Sequence, residues 1–301
     1  MPEVQIAGKR GRYSRRQQQR IEVTGMETAV ERWQAIIDAR AKQMDAAYAQ
    51  LGRTSAGYWD RRASRYHAST KNTVVHDPFF NKLRAVITPQ TSVLDVGAGS
   101  GRFALALAPL AKQIIAVEPN TAMLDYLRRD AQTLHVSNIS YSLNTWQDAP
   151  DDLQADIVIC SHVLYPIRDI VPFLTKLQRA TRQACYIYMR ATPIDALTAP
   201  LWKHFHGDER CYPPGYIHAL DVLYEMGIYA NVEIVSLPAS LRYPSLDVAV
   251  EEMAEQLILP GDEKTRGELR DLLAEWLVER DGMLVPPPRE MVCAIVWWAH
   301  T

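Results

Sequence analysis

The chain predicts a doubly wound α/β fold, and three observations carry that expectation. From Ser92 onward, β-branched apolar runs alternate with amphipathic helical stretches. The apolar runs are nearly continuous, as in strands covered on both faces. A glycine turn, Gly97-x-Gly99-x-Gly101, joins the first of these strands to the first helix.

The elements follow in order. Between Gly8 and Arg20 stand Lys9, Arg10, Arg12, Arg15, Arg16 and Arg20 with no acid, so residues 1–25 read as a basic tail. Such a tail can meet a polyanion or stay solvated. Residues 26–70 form a helical extension. In "METAVERWQAIIDARAKQMDAAYAQL", Val30, Trp33, Ile37, Met44, Tyr48 and Leu51 share one face, and Gly52 supplies a stop. That face can cover the domain or build a homodimer. A second segment, "GYWDRRASRYHAS", leads into a main domain over 71–301.

There "SVLDV", "QIIAVE", "ISYSL", "ADIVICS" and "ACYIYMR" read as strands, with helices "GRFALALAPLA", "NTAMLDYLRRDAQTL" and "IRDIVPFLTKLQRAT" between them. Helix "PGYIHALDVLYEMG" precedes strand "NVEIVSLP", and "EMVCAIVWWAH" is the last strand. The segment between those two strands is too long for a hairpin. It carries two helical stripes, Leu246/Val250/Met253/Leu257 and Leu269/Leu272/Leu273/Trp276/Leu277.

Composition bounds the function. With 48% hydrophobic and 23% charged residues and a net charge of −2, the 301-residue chain reads as a globular protein. No apolar run approaches the ~18 residues of a membrane span, and no apolar segment follows the basic N-terminus, so neither membrane association nor secretion is expected. Cys160, Cys185, Cys211 and Cys293 lack CxxC spacing and read as free thiols of the cytoplasm.

The glycine turn calls for a ligand. A dinucleotide site needs its third glycine near where Phe103 stands, and Asp95, two residues before Gly97, would repel a pyrophosphate. A buried acid there suits an ammonium group or a bound water. Glu118 ends the neighbouring strand about twenty residues on, where a carboxylate can accept from two ribose hydroxyls.

With these residues in place, the chain resembles the class I S-adenosylmethionine-dependent methyltransferases, over roughly Tyr58 to Arg190. The match is "VLDVGAGSGRF", "AVEPN", "TWQDAP" and "ADIVICSHVLYPIRD". It is nearest to the small-molecule, quinone-biosynthesis-like type 11 branch. The resemblance implies a Rossmann-like, doubly wound seven-stranded sheet with an antiparallel last strand, and S-adenosylmethionine as cofactor. Asp95, Gly97, Ala98 and Gly99 would bind its amino-acid end, with Gly101 and Pro119 in the same set. Glu118 would hold the ribose, and Met123 and Trp146 would lie by the adenine. Gln147 or Asp148 would accept from the adenine amine, and Ser161 would line the methionine arm. In the leader, Tyr58 and Tyr66 would close over the methionine end. His162 is the candidate general base, with Tyr165 as the second catalytic candidate.

Ligands of such sheets bind beyond the carboxyl ends of the strands. Segments 191–213 and 239–288 leave the sheet on that edge, so they read as a lid. Within the first, His204, His206, Asp208 and Arg210 are candidate substrate contacts. No fourth ligand accompanies His204, His206 and Cys211, so no metal is expected. The "SHVLY" after the fourth strand differs from the [DN]PP[YFW] of DNA-base amino methyltransferases, so no DNA partner is expected. The reading is methylation of a small molecule at O, N or C. The alternatives are RNA methylation using the basic tail, and a non-catalytic S-adenosylmethionine-binding partner protein.

Overall fold

The computed structural model describes residues 27–55, 57–70, 74–238, 241–287 and 290–300. The basic tail lies outside them, and the side chain of Tyr58 is likewise outside the description.

Six strands come before the cap hairpin: β1 (Ser92–Val96), β2 (Gln113–Val117), β3 (Ile139–Ser142), β4 (Ala155–Ser161), β5 (Thr181–Arg190) and β6 (Asn231–Pro238). A short hairpin, β7 (Val278–Arg280) and β8 (Met283–Val285), precedes the long final strand β9 (Glu290–Ala299). The main sheet has seven strands in the order β3-β2-β1-β4-β5-β9-β6. β1 to β5 pair in parallel, and β9 runs antiparallel to both β5 and β6. β1 lies between β2 and β4, so the strand order reverses there, which is where open α/β sheets bind ligands.

Both faces are covered. On one face α3 (Pro78–Arg84), α4 (Arg102–Leu107) and α5 (Thr121–Thr133) bury Phe79, Phe103 and Leu124 against Ile114, Ile159 and Tyr188. α4 stops at Leu107, shorter than the helical pattern suggests, and passes into a 3₁₀ turn containing Pro109. A proline nitrogen cannot continue the ladder. On the other face α6 (Ile170–Ala180) and α8 (Tyr216–Glu225) pack Phe173, Leu177 and Val222 against Leu94, Val158 and Ile187.

The N-terminal helix α1 (Ala29–Gln50) begins at a capping box, Thr28 with Glu31, and turns out at Gly52 with φ +61°. Its predicted face is spent inside the chain. Trp33 and Ile37 join the core against α6 and α8, and Ala47 and Tyr48 join a second core. That second core is built by α7 (Asp195–His206), α9 (Leu246–Gln256) and α10 (Glu263–Trp276). α1 is therefore a strut between the sheet layers and a helical cap.

Trp33 is fully buried, and its indole Nε1 donates to Ile167 O at 2.7 Å. Trp33→Ala should cost about 3–5 kcal/mol in denaturant unfolding, through the cavity and the orphaned carbonyl. A loss under about 1 kcal/mol would show that α1 does not contribute to the core.

Residues 191–213, read from sequence as a lid segment with no helix assigned, contain the twelve-residue helix α7 with Pro200 inside it. Among the described residues no helix is long and apolar enough to cross a membrane, and no cluster of metal-ligating side chains occurs. All four cysteines are free thiols, those of β4, β5 and β9 being buried.

Candidate active site

The turn from β1 to α4 is shaped by its neighbours. Gly97 has φ +74°, and a Cβ there would lie 2.3 Å from Val163 Cγ2. Gly101 caps α4 at φ +88°, and its Cβ would fall 2.2 Å from Leu127 of α5. Both positions therefore exclude a side chain twice over, by backbone angle and by packing. The turn's amides are engaged internally. Gly97 and Ala98 donate to Val117 O at 2.8 and 3.1 Å, and Gly99 donates to Glu118 Oε2 at 2.8 Å.

Glu118 is held from both sides, since its Oε1 accepts from the Asn120 amide at 2.9 Å. Each carboxylate oxygen thus has one fixed backbone donor and retains lone pairs for a ligand hydroxyl. Burial raises its pKa above the usual carboxylate range, while the Asn120 and Gly99 amides pull it down. Asp95, on the neighbouring strand, is 3% exposed and has no cationic side-chain partner among the described residues. Burial first, and the charge of Glu118 second, push its pKa up to about 7. A buried carboxylate in that state favours any cation that can reach it. Glu118→Ala should weaken S-adenosylhomocysteine binding by about 1.5–3 kcal/mol, or roughly ten- to over a hundred-fold by calorimetry.

α2 (Tyr58–Thr70) closes over this turn. A Cβ built on Gly99 would meet Tyr66 Cε1 at 3.7 Å, so the Tyr66 ring lies over the glycine loop. α2 is fastened to α5 by His67, stacked on Tyr126 at 4.5 Å, and by Asp60, which accepts from Asn120 Nδ2 at 2.6 Å. Arg65 reaches Glu251 of α9 at 3.2 Å on the other side.

The second wall is the end of β4. Ser161 is half-buried at the strand terminus, and His162 follows with φ +59°. This left-handed position is costly for a residue with a side chain and is found most often at functional sites. Its amide still donates to Tyr188 O at 2.8 Å, so the chain turns only after its last sheet bond. His162 Nδ1 lies 3.0 Å from Tyr165 Oη, and Tyr165 Oη accepts from the Arg190 amide at 2.8 Å. Burial, with Arg190 and Arg102 nearby, holds the His162 pKa well below the ordinary histidine value. Burial lifts the Tyr165 phenol further above its usual range. Tyr165 is therefore placed to orient the imidazole rather than to take a proton.

The remaining sequence-predicted residues vary in burial and partners. Met123 is buried in the first turn of α5, its amide donating to Asn120 Oδ1 at 2.9 Å, while Pro119 is exposed. Trp146, expected at the adenine, is 4% exposed in the α6-side core, with its Nε1 on Phe173 O at 3.3 Å. Gln147 and Asp148 are exposed; Asp148 closes a turn with Thr145 Oγ1 at 2.7 Å. Sequence reasoning passed over Asn144, two residues beyond β3, whose Nδ2 donates to Ser142 Oγ at 3.0 Å. The signal was its position as the first amide side chain past a strand end.

The structure places the expected substrate contacts of the first lid segment in the helical cap, each with a partner inside the chain. Arg210 is buried, stacked 3.8 Å over Trp202, and bonded to Asp195 Oδ1 at 3.0 Å. His206 stacks on Trp202 at 3.9 Å and bonds Leu257 O at 2.7 Å. His204 pairs with Glu268 at 2.7 Å, and Asp208 accepts from Trp202 Nε1 and Gln43 Nε2, both at 2.9 Å. Their polar groups are spent holding the cap together.

Residues 87–227 match a family model described as "Methyltransferase domain" (Methyltransf_31). That segment, a little under half of the chain, is similar to a methyltransferase domain. An uncharacterized protein of Haemophilus influenzae is 28% identical over 189 residues, covering 59% of this chain and 65% of that protein. The uncharacterized methyltransferase YcgJ of Bacillus subtilis is 29% identical over 92 residues, 30% of this chain and 36% of its own. The chain thus spans less than two thirds of the length of either relative. A solved structure from Bacillus halodurans shares the fold, with a TM-score of 0.50 at 15% identity over 76% of this chain and 98% of its own. The matched methyltransferase segment begins just before β1 and ends just after α8. α1, α2, α9, α10 and β9 all lie outside it.

Proposed function

We propose that the protein transfers a methyl group from S-adenosylmethionine to a small-molecule acceptor, at an oxygen, nitrogen or carbon, in the cleft over β1, β2 and β4. The observation that carries this reading is the pair of acids at the strand ends. Asp95 is buried without a counter-charge, and both oxygens of Glu118 are pinned by amides. Together they fit a ligand that is cationic at one end and carries a diol at the other. A diphosphate at the glycine turn would meet Asp95 and be repelled.

When bound, S-adenosylmethionine supplies a methyl group already activated on a sulfonium. Asp95 and the carbonyls of the Gly97–Gly99 turn would hold its ammonium, and Glu118 its ribose. Met123 and Asn144 flank the strand ends where the adenine would lie. Tyr66 covers the turn and excludes water. The chain's main contribution is alignment, which can supply as much as about 7–11 kcal/mol of the barrier. His162, neutral across the physiological range, would take the proton of an acceptor hydroxyl or amine through Nε2. In that tautomer Nδ1–H donates to Tyr165 Oη, whose second lone pair takes the Arg190 amide.

Mass spectrometry of ligand retained by the purified protein tests the cofactor, and tritiated-methyl transfer to fractionated cell extract tests the activity. Label in low-molecular-weight product supports the reading. Label in RNA, bound with a steep salt dependence that vanishes when residues 1–20 are deleted, would replace it with RNA methylation.

A further inference from the structure

We infer that Arg190 is the acceptor-reading residue of this site and that the acceptor carries a carboxylate, an assignment that rests on the methyl-transfer reading above. Arg190 is the last residue of β5, paired in register with Cys293 of β9, and it is half-buried. Its backbone amide is used by Tyr165 Oη at 2.8 Å. The only acceptor for its guanidinium among the described residues is a thioether, Met291 Sδ, 3.2 Å from Nη1. A thioether is a weak acceptor and carries no charge.

The contrast with two other partly or fully buried arginines is informative. Arg102, which follows the glycine turn, is paired with the buried Asp77 at 2.5 Å. Arg210 in the cap is neutralised by Asp195. Arg190 alone of these three faces no carboxylate among the described residues. A half-buried guanidinium has given up part of its hydration, and a planar fork of donors is suited to a carboxylate.

Its position separates it from the cofactor's own carboxylate. The cofactor's amino-acid end belongs at β1, beside Asp95. β5 stands two strands away across β4, about 10 Å at the usual strand spacing. Arg190 is nevertheless close enough to act on the charge of both Tyr66 and His162. It therefore stands within electrostatic reach of the imidazole, at the edge where β4 and β5 end. The His162 ring is backed by the buried Tyr188, with ring centroids 4.9 Å apart.

The experiment uses full-length protein saturated with S-adenosylhomocysteine, titrated calorimetrically with benzoate and with neutral benzamide in chloride-free buffer. Wild type should bind benzoate and not benzamide. Arg190→Gln should weaken benzoate binding by about ten- to a hundred-fold, and Arg190→Lys by less, with S-adenosylhomocysteine affinity unchanged in both. Equal binding of benzoate and benzamide, no benzoate heat in wild type, or an unaltered Arg190→Gln would overturn the assignment. Loss of S-adenosylhomocysteine affinity in a folded Arg190→Gln would instead place Arg190 on the cofactor's carboxylate and also overturn it. Failure of wild type to bind S-adenosylhomocysteine at all would refute the methyl-transfer reading itself, and this assignment with it.

Discussion

Asp95→Asn should make the ligand-free protein more stable at pH 8 while weakening its hold on S-adenosylmethionine. The pKa of Asp95 in the folded chain is about 7, raised from 3.8. A carboxyl raised in this way contributes fully to stability below its unfolded value, and that contribution is lost as pH rises through 7. At pH 8 the wild type therefore keeps a charge buried at a cost on the order of 1–4 kcal/mol, which the neutral amide avoids. The gain should shrink as the pH is lowered and vanish near 4, so thermal midpoints at both pH values check the sign. Binding moves the opposite way. Without the carboxylate, the ligand ammonium loses a charge-assisted bond, and affinity should fall by about ten- to a hundred-fold. A variant that is no more stable at pH 8, or that binds as tightly as wild type, would remove Asp95 from the cationic end of the site.

The second large effect concerns the proton. If His162 is the base, His162→Ala should lower turnover by about 10²–10⁴ with cofactor affinity near wild type. Its depressed pKa sets the pH window. The imidazole is neutral above a point well below 6.5, so wild-type turnover should show no acid limb between pH 6 and 8. Tyr165→Phe removes the ring's partner but not the ring. It should give a smaller loss, confined to kcat, because the imidazole is misoriented rather than absent. A fall of less than about tenfold in His162→Ala would mean that alignment alone drives transfer.

Much of this architecture was legible in the sequence because the strands are uniformly apolar and the helices striped. The seven sheet strands and the striped faces of α9 and α10 follow from period, whereas the antiparallel last strand followed from the family resemblance. α7 was not legible. Pro200 interrupts "DALTAPLWKHFH", and only the packing of Leu201 and Trp202 against α1 and α9 makes a helix of it. The β7–β8 hairpin was missed although its turn is Asp281-Gly282, both residues having positive φ and forming one of the strongest short-range hairpin signals. Three-residue strands give no alternation to read.

The site divides in the same way. Asp95 and Glu118 stood out as acids at apolar strand ends, where packing offers no reason for a charge. Trp146, His206 and Arg210 carried residue types typical of sites, but Phe173 of α6 engages the first, and Trp202 and Asp195 engage the other two once their own segment folds as α7. Arg190 was visible only as the last residue of a strand. That its guanidinium meets a thioether and no carboxylate among the described residues is a property of the fold, not of the residues beside it in sequence.

The most direct test of the central claim is a calorimetric titration of S-adenosylhomocysteine into the full chain, with NAD as comparator and Glu118→Ala as control. The account predicts one-site binding of S-adenosylhomocysteine, no heat with NAD, and an affinity lower by roughly ten- to over a hundred-fold in the folded Glu118→Ala variant. Binding of NAD in place of S-adenosylhomocysteine, or a Glu118→Ala protein that binds as wild type does, would contradict it.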